Sequence, residues 1–551
     1  MGKRCSKSTF YIVFRYTLDA FCPKCYQGVL LVRESSPCFR MKTAKIVCNP
    51  WFLPRIADGM VRGVLLRVMR TTSLRGDEVV GQLFVRSHIG FITQKSVYLR
   101  VMKKVLIITY YWPPTGGSGV QRWVKFAKYL PSEGWQPVIY TPENPEQLAI
   151  DESLAAEVPA DTEIIKTHIT EPYELYKKFL KKSGHSKEAV EVNPVNAQNK
   201  SLAQRLAMWV RGNFFRPDPR CMWIRPSVKF LKKYLKEHPV DLIVSTGPPQ
   251  SMHLIGMKLA QETGLPWIAD FRDPWTKIFY FKHLSMTKAT EKWHKKMEKK
   301  VLDNASTVVA VSPLVQQEFM SMTQTPVELI TNGFDECDFL GEKCSKAYGS
   351  PESDFTITHT GLFAADGNPT TLWKVLAEKC SSDVSFKKHL KIKLIGKTDD
   401  QIISAIENAG LGNNLTNMGY QPHSEAVAAQ RTASLLILPL RKEPEYKAVL
   451  PGKLFEYLAS WRPVLGIGQP DGAMSMILNT TKTGVVLDWD DKASISRYID
   501  LCWERHLKGE LSVEDADISR FSRKALTTRM AELFNKTIHE NAGFCGQKTE
   551  K

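Results

Sequence analysis

Several loops of this 551-residue sequence gather residue types that can do chemistry. Asp270-Phe271-Arg272-Asp273-Pro274-Trp275 puts two carboxylates and a guanidinium just after an apolar run, a set suited to hydroxyl recognition or proton handling. The same residues also suit a structural Arg–Asp pair that closes a turn. His253 follows a second such run in STGPPQSMH and is a candidate acid, base or hydroxyl ligand. Thr115-Gly116-Gly117-Ser118-Gly119 is glycine-rich and opens a helix, where free N–H groups suit an anion. In the second half, Gly361, Gly396-Lys397 and Arg441 to Glu456 supply glycine and positive charge. Lys453 stands at a helix start, where the dipole and its own charge act together on a phosphate. Glu456 follows one turn later and is apt for the two hydroxyls of a ribose.

The elements around these loops alternate. KKVLIIT (103–109) has the apolar character of a buried parallel strand, and a helix with Val120, Trp123, Val124, Ala127 and Leu130 at helical spacing follows. Further strands are predicted at 135–140, 162–167, 241–245, 266–270, 307–311 and 327–330. Helices are predicted near 171–182, over 250–263 and over 286–303, with a polar loop at 183–200. A second series follows, with strands at 355–359, 391–395, 414–418, 434–438 and 463–467 and helices at 399–409, from 423 and at 453–460. A last helix is predicted within 513–540. Such alternation predicts two parallel sheets flanked by helices, hence two domains. Ligands then bind beyond the carboxyl ends of the strands, where these loops lie. The glycine loop is not G-x-G-x-x-G, and no acidic residue ends the strand PVIYT, so a dinucleotide site is disfavoured.

Composition agrees with a globular protein: 43% hydrophobic and 24% charged residues, with no apolar run long enough to span a membrane. The net charge of +18 is uneven. Residues 1–101 hold 17 Lys and Arg against 5 Asp and Glu, a net +12, which leaves +6 for the rest. That segment shows no sustained period and is expected to be a disordered extension or a start-site artefact, with order beginning at Met102. Cys22 and Cys25 have two residues between them, but Cys38 and Cys48 do not repeat that spacing, so no metal site is predicted. The cysteine total is odd and irregularly spaced, which points to a reducing compartment and a cytoplasmic protein. Residues 202–237 are basic and aromatic and suit either peripheral contact with a membrane's inner face or a helical insertion packed on the core.

The stretches YYWPPTGGSGVQRWVKFAKYL, STGPPQSMHLIG, ADFRDPW, ITNGFD, HTGLF, LIGK and PGKLFEYLASWRPVLG are similar to those of retaining glycosyltransferases of family 4, of the bacterial surface-polysaccharide type. The resemblance runs from Met102 to about residue 540. It implies the GT-B fold: two facing Rossmann-like doubly wound domains with a cleft between them. The acceptor domain is expected at 102–335 and the nucleotide-sugar donor domain at 336–515. A C-terminal helix and tail, 516–551, would return to the first domain. The family usually carries two glutamates eight positions apart. Glu456 matches the second, and Ala448 stands at the first. The Arg and Lys usual after the first donor-domain strand are missing from Phe363 to Thr371, so Lys397, Arg441 and Lys453 are expected to replace them. Arg272 stands where many members have His.

The resemblance thus implies sugar transfer from a nucleotide-diphosphate sugar to a glycan or polyprenyl-linked acceptor, with retention and without metal or cofactor. Catalytic candidates are Asp270, Arg272, Asp273 and His253. Donor-binding candidates are Gly116, Gly117, Gly361, Lys397, Tyr420, Arg441, Lys453, Leu454 and Glu456. Three rivals remain open: a nucleotide-sugar epimerase on the same fold, a non-catalytic binding module lacking the glutamate at 448, and a nucleic-acid binder using the basic N-terminus. No nucleic-acid partner is predicted.

Overall fold

The computed structural model describes residues 102–146, 150–171, 209–339, 350, 352–513 and 516–546, and strand backbones within the first hundred residues. Among the latter, Phe10–Tyr16 pairs antiparallel with Tyr26–Val32, while Leu65–Val68, Ser73–Arg75 and Ile92–Arg100 pair with Glu78–Arg86. The sequence reading anticipates none of these strands. Their residues are strand formers, but Arg and Gly interrupt the alternation that would have revealed them. The rest of that segment lies outside the described residues, and with it the expected disorder or artefact. So do the helix expected near 171–182 and the loop at 183–200. Met1–Lys104 with Gly134–Gln136 groups as one compact unit, and Val105–Glu133 with Pro137–Lys551 as a second.

The second unit holds two lobes, each built on one sheet. The first sheet contains β1 (Lys103–Ile108), β2 (Trp135–Pro142), β3 (Glu163–Thr167), β4 (Leu242–Gly247), β5 (Trp267–Phe271), β6 (Thr307–Ala310) and β7 (Val327–Leu329). Its order is β7-β6-β5-β4-β1-β2-β3. The second contains β8 (Phe355–Thr360), β9 (Leu390–Ile395), β10 (Leu415–Gly419), β11 (Leu435–Pro439), β12 (Val464–Ile467) and β13 (Gly484–Leu487) in the order β10-β9-β8-β11-β12-β13. Both sheets are parallel and reverse their strand order once, between β1 and β4 and between β8 and β11. That reversal opens a crevice at the carboxyl ends. Central strands such as β4 and β8 are buried throughout, although β8 alternates Phe and Ile with Thr and His and β4 ends in Ser-Thr-Gly.

The helices that position the site are α1 (Ser118–Tyr129), α2 (Ile224–Glu237), α3 (Ser251–Thr263), α4 (Lys288–Asn304), α5 (Pro313–Met322), α6 (Thr370–Ser382), α7 (Asp400–Asn408), α8 (His423–Thr432), α9 (Gly452–Ala459), α10 (Ala473–Thr481), α11 (Lys492–Lys508) and α12 (Arg523–Gly546). The last begins ten residues later than 513. Phe334 N donates to Phe521 O at 3.1 Å and Arg523 N to Phe334 O at 2.7 Å, so Ser522, extended between a short 3-10 turn and the last helix, is bridged to the interlobe segment. Ser522 Oγ then accepts from Ala525 N at 3.1 Å and starts the helix. Along α12, Thr528 reaches Glu133, Arg529 the Leu329 carbonyl and Lys536 Glu328, all on the first lobe. Among the described residues, no helix is long and apolar enough to cross a membrane.

Candidate active site

In the second lobe, three loops at the carboxyl edge each turn on a glycine with positive φ: Gly361 (+90°), Gly396 (+113°) and Gly419 (+62°). Gly361 N donates to Ile395 O at 2.5 Å and Gly396 N to Gly419 O at 2.7 Å, which stacks the loops as a stair. A β-carbon on Gly361 would also displace the flexible end of the Lys453 side chain, which lies against it. Lys453 is in the first turn of α9, whose cap Pro451 offers no side-chain acceptor and whose first turn has no acidic residue. Its amine has no hydrogen-bond or ion-pair partner among the described residues. Burial brings its pKa down to about 8, against the upward pull of Glu456. His359, buried at the end of β8 and stacked 4.2 Å from Phe363, is kept neutral by burial and by the Lys453 charge.

Glu456 lies one turn further along α9. Gln430 Nε2 donates to its Oε2 at 3.0 Å and also to Thr360 Oγ1 at 3.0 Å, while His423 Nε2 is 3.6 Å from Oε1. Burial raises this carboxyl, yet His423, Gln430 and Lys453 together hold it below its ordinary value. Glu456 in turn raises His423. The result is an ionised carboxylate, 22% exposed, on the same helix turn as an unpaired amine. Leu454 between them is fully buried and anchors α9 in the core rather than facing a ligand. Lys397 and Tyr420 stand exposed on the adjoining loops, Tyr420 at 88%.

Arg441 is placed differently from the free phosphate clamp expected of it. Its guanidinium pairs with Asp366 at 2.7 Å and lies over the rings of Phe279 and Tyr446, 5.0 and 5.6 Å away. Phe279 belongs to the first lobe and its ring is 5.3 Å from that of Tyr446. Lys282 adds a bridge to Glu445, 3.0 Å from both oxygens. Arg441 therefore works in a contact between lobes. Ala448, where the first glutamate of the family pattern is missing, packs against the apolar cluster of the first lobe.

In the first lobe, Asp270 is fully buried at the end of β5 and its oxygens are saturated. Arg122 donates at 2.8 and 3.2 Å, Trp123 Nε1 at 2.8 Å and Thr246 Oγ1 at 2.8 Å. Burial raises its pKa, but Arg122 and these donors leave it lowered. A carboxylate so engaged cannot take a substrate proton, so the geometry makes Asp270 an anchor for Arg122 rather than a catalytic group. Arg122 also donates to the carbonyls of Ile330 and Thr331, at 2.9 and 2.8 Å, so it ties α1 to the interlobe segment. Lys125, Lys128 and Tyr129 extend that tie to Asp335, at 2.8, 3.0 and 2.7 Å.

Arg272 and Asp273 lie closer to the opening. Arg272 donates to Pro248 O, and its guanidinium fills the place that a β-carbon on Gly119 would need. This brings the loop after β5 onto the glycine loop that opens α1, where Gly117 takes φ +108° and Gly116 backs onto Asp151. Burial pushes the Asp273 carboxyl up to about 6, with Arg272 pulling the other way. Asp273 feels Tyr280 of its own lobe and Tyr446 of the other. His253, a candidate acid or base by its position, is fully buried. Its ring stacks 4.2 Å from Phe271, Nδ1 is 2.9 Å from Ser245 Oγ, and burial lowers its pKa to about 3. A neutral, enclosed imidazole of this kind supports the loop and does not exchange protons at neutral pH.

The structure thus brings together Lys453, Glu456 and Gly361, and separately Arg272, Gly116 and Gly117. Sequence reasoning missed Arg122, Gln430, His423 and His359. His423 and Gln430 are seven apart on α8 and share one face, a spacing visible in the sequence without an indication of what it meets. Among the described residues, no cluster of His, Cys, Asp and Glu has a metal-holding arrangement.

Residues 117–336 match the family model described as Glycosyltransferase Family 4. No curated protein sequence matches the chain. Among solved structures, sucrose-phosphate synthase from Thermosynechococcus elongatus is similar at 14% identity, over 80% of this chain and 100% of its own, with a TM-score of 0.50. The lipopolysaccharide outer core galactosyltransferase WaaB, in its apo form, is similar at 12% identity over 80% and 99%, with a TM-score of 0.49. Anabaena HepE in complex with UDP-glucose is similar at 14% identity over 81% and 100%, with a TM-score of 0.43. Two parallel sheets in this order, with the first of these likenesses, make the fold GT-B.

Proposed function

We propose that this protein is a retaining glycosyltransferase that moves a sugar from a nucleoside-diphosphate sugar to a glycan or lipid-linked acceptor in surface-polysaccharide assembly. The observation that carries the reading is the pairing on α9: an unpaired, half-buried Lys453 amine over Gly361, one turn from the ionised Glu456. Glu456 accepts the ribose hydroxyls. Lys453 and the open N-terminus of α9 hold the diphosphate and stabilise its charge as it leaves. Lys397 reaches the same phosphates from its exposed loop, and Tyr420 stacks on the base. From the first lobe, Arg272 and the Gly116–Gly117 backbone face the sugar and phosphates.

The bond from the anomeric carbon to the phosphate oxygen breaks, and a bond from that carbon to the acceptor oxygen forms on the same face. Asp273, with a pKa of about 6, is mostly ionised at pH 7 and orients the acceptor hydroxyl. The hydroxyl proton passes to the departing phosphate. The chemistry needs neither metal nor cofactor, and the site works at a cytoplasmic location.

A thermal-shift screen of the full chain with UDP, GDP, dTDP and CMP tests this. One diphosphate at 100 times its Kd adds about 2.7 kcal/mol and raises the midpoint by a few degrees. The shift is expected to vanish in Lys453→Ala and in Glu456→Ala. A folded protein that responds to none of the four would sink the proposal. Ala448 favours a second reading, a binding module that holds the nucleotide without catalysis. Nucleotide binding with no release of nucleoside diphosphate from any donor sugar would select it.

A further inference from the structure

The segment between β3 and β4 carries a surface that the transferase chemistry does not use. On α2, Ile224, Ser227, Val228, Leu231 and Leu235 are buried. Arg225, Lys229, Lys232, Lys233 and Lys236 are exposed, and their spacing sets all five on one face. Lys232 pairs with Glu262 at 2.8 Å, while the other four have no ion-pair partner among the described residues. Large apolar side chains are exposed in the same stretch: Trp209 at 41%, Phe214 at 67%, Met222 at 46% and Phe230 at 41%. Met222 precedes Arg225 by three positions, and Phe230 adjoins Lys229, so both border the basic face. Trp209 and Phe214 pack edge to face at 5.8 Å and leave their outer surfaces open.

A solvated helix face ordinarily mixes charges of both signs and carries few exposed aromatics. A nucleic-acid face explains the lysines but not Met222 or Phe214. Basic side chains beside exposed Trp, Phe and Met match the headgroup boundary of an anionic bilayer, where the cations meet phosphate and the apolar groups sink below it. We propose that the α2 face, together with Trp209 and Phe214, docks the protein on an anionic lipid surface. The segment is fastened to the cleft. Asp218 accepts from Ser251 N and Oγ at 2.8 and 2.9 Å, at the start of α3, and Arg220 lies 4.6 Å over the Tyr110 ring. Docking therefore holds the first lobe at the bilayer. Resting on the transferase reading, this makes the acceptor a lipid-linked one.

The test is co-sedimentation of the full chain with phosphatidylcholine vesicles, with and without phosphatidylglycerol. Binding is expected only with the anionic lipid. Each basic side chain near such a surface contributes about fivefold, so Lys229→Glu with Lys233→Glu should weaken partitioning at least ~25-fold. Met222→Ser with Phe214→Ser should weaken it about tenfold, and should do so at high salt too. If the charge-reversed protein does not fold, Lys229→Gln with Lys233→Gln replaces it. Wild-type protein left in the supernatant at low salt overturns the proposal. So does full binding by the charge-reversed variant, which would move the contact to another basic segment. Unchanged binding by the apolar variant, with displacement by short duplex DNA, would mark a general polyanion surface and also overturn it. The diphosphate thermal shift is read on the same variants and should be unaltered. Its absence from the wild type would remove the transferase reading and leave the docking result standing.

Discussion

Lys453 sets how nucleotide binding responds to pH. Its pKa in the folded protein is about 8, below the ordinary lysine value, because burial penalises the charged amine. A diphosphate needs that charge, so stabilisation by the nucleotide should fall as pH rises through about 8. Lys453→Arg, whose guanidinium stays charged, should flatten the profile. The free protein should gain stability from pH 8 up to the ordinary lysine value, because there the unfolded chain holds the proton that the folded chain has lost. Thermal shift across that range reads both. Gly361→Ala combines a positive φ with a collision on Lys453, so it should cost about 1–2 kcal/mol and abolish the nucleotide shift. Lys453 and Glu456 were legible because they stand one turn apart on one predicted helix. Asp270 was legible as special but not as to its role, since its partner Arg122 lies 148 residues away and spacing carries no information over that distance. Arg441 was misplaced for the same reason: its aromatic partner Phe279 comes from the other lobe.

Among the elements, α1 does two jobs. Its opening glycines face the cleft, and its buried side, Arg122 with Lys125 and Lys128, grips β5 and the segment 330–335. Arg122→Met would leave Asp270 buried and unpaired, which costs about 3–5 kcal/mol. Chemical denaturation should show that loss, whereas Lys128→Met, at a side chain 27% exposed, should cost far less. The strands of both lobes apart from β13, and most of the helices, were readable because most of those strands are short apolar runs between Gly and Pro loops. The start of α12 was not, because what delays it is pairing with Phe334, a tertiary contact without a local signal.

In the whole molecule, the lobes touch at the mouth of the cleft through Phe279, Tyr446, Arg441 and the Lys282–Glu445 bridge. An aromatic pair of this kind contributes about 0.5–1.5 kcal/mol, so Phe279→Ala should shift the opening equilibrium about two- to twelvefold. Small-angle scattering without nucleotide should report a larger radius of gyration, and saturating diphosphate should reverse it. Below the mouth, two chain segments pass between the lobes, and they do not pass independently. Phe334 and residues 521–523 are hydrogen-bonded side by side, and Gly333 lets the Phe521 carbonyl come close where any β-carbon would block it. Two straps fastened to each other leave far less freedom than two loose ones. Twisting and sideways sliding would break the fastening, and swinging about a line through Phe334 would not. The lobes are thus built as a door with both hinge plates on one pin, and distance measurements between labels on them should trace a single arc.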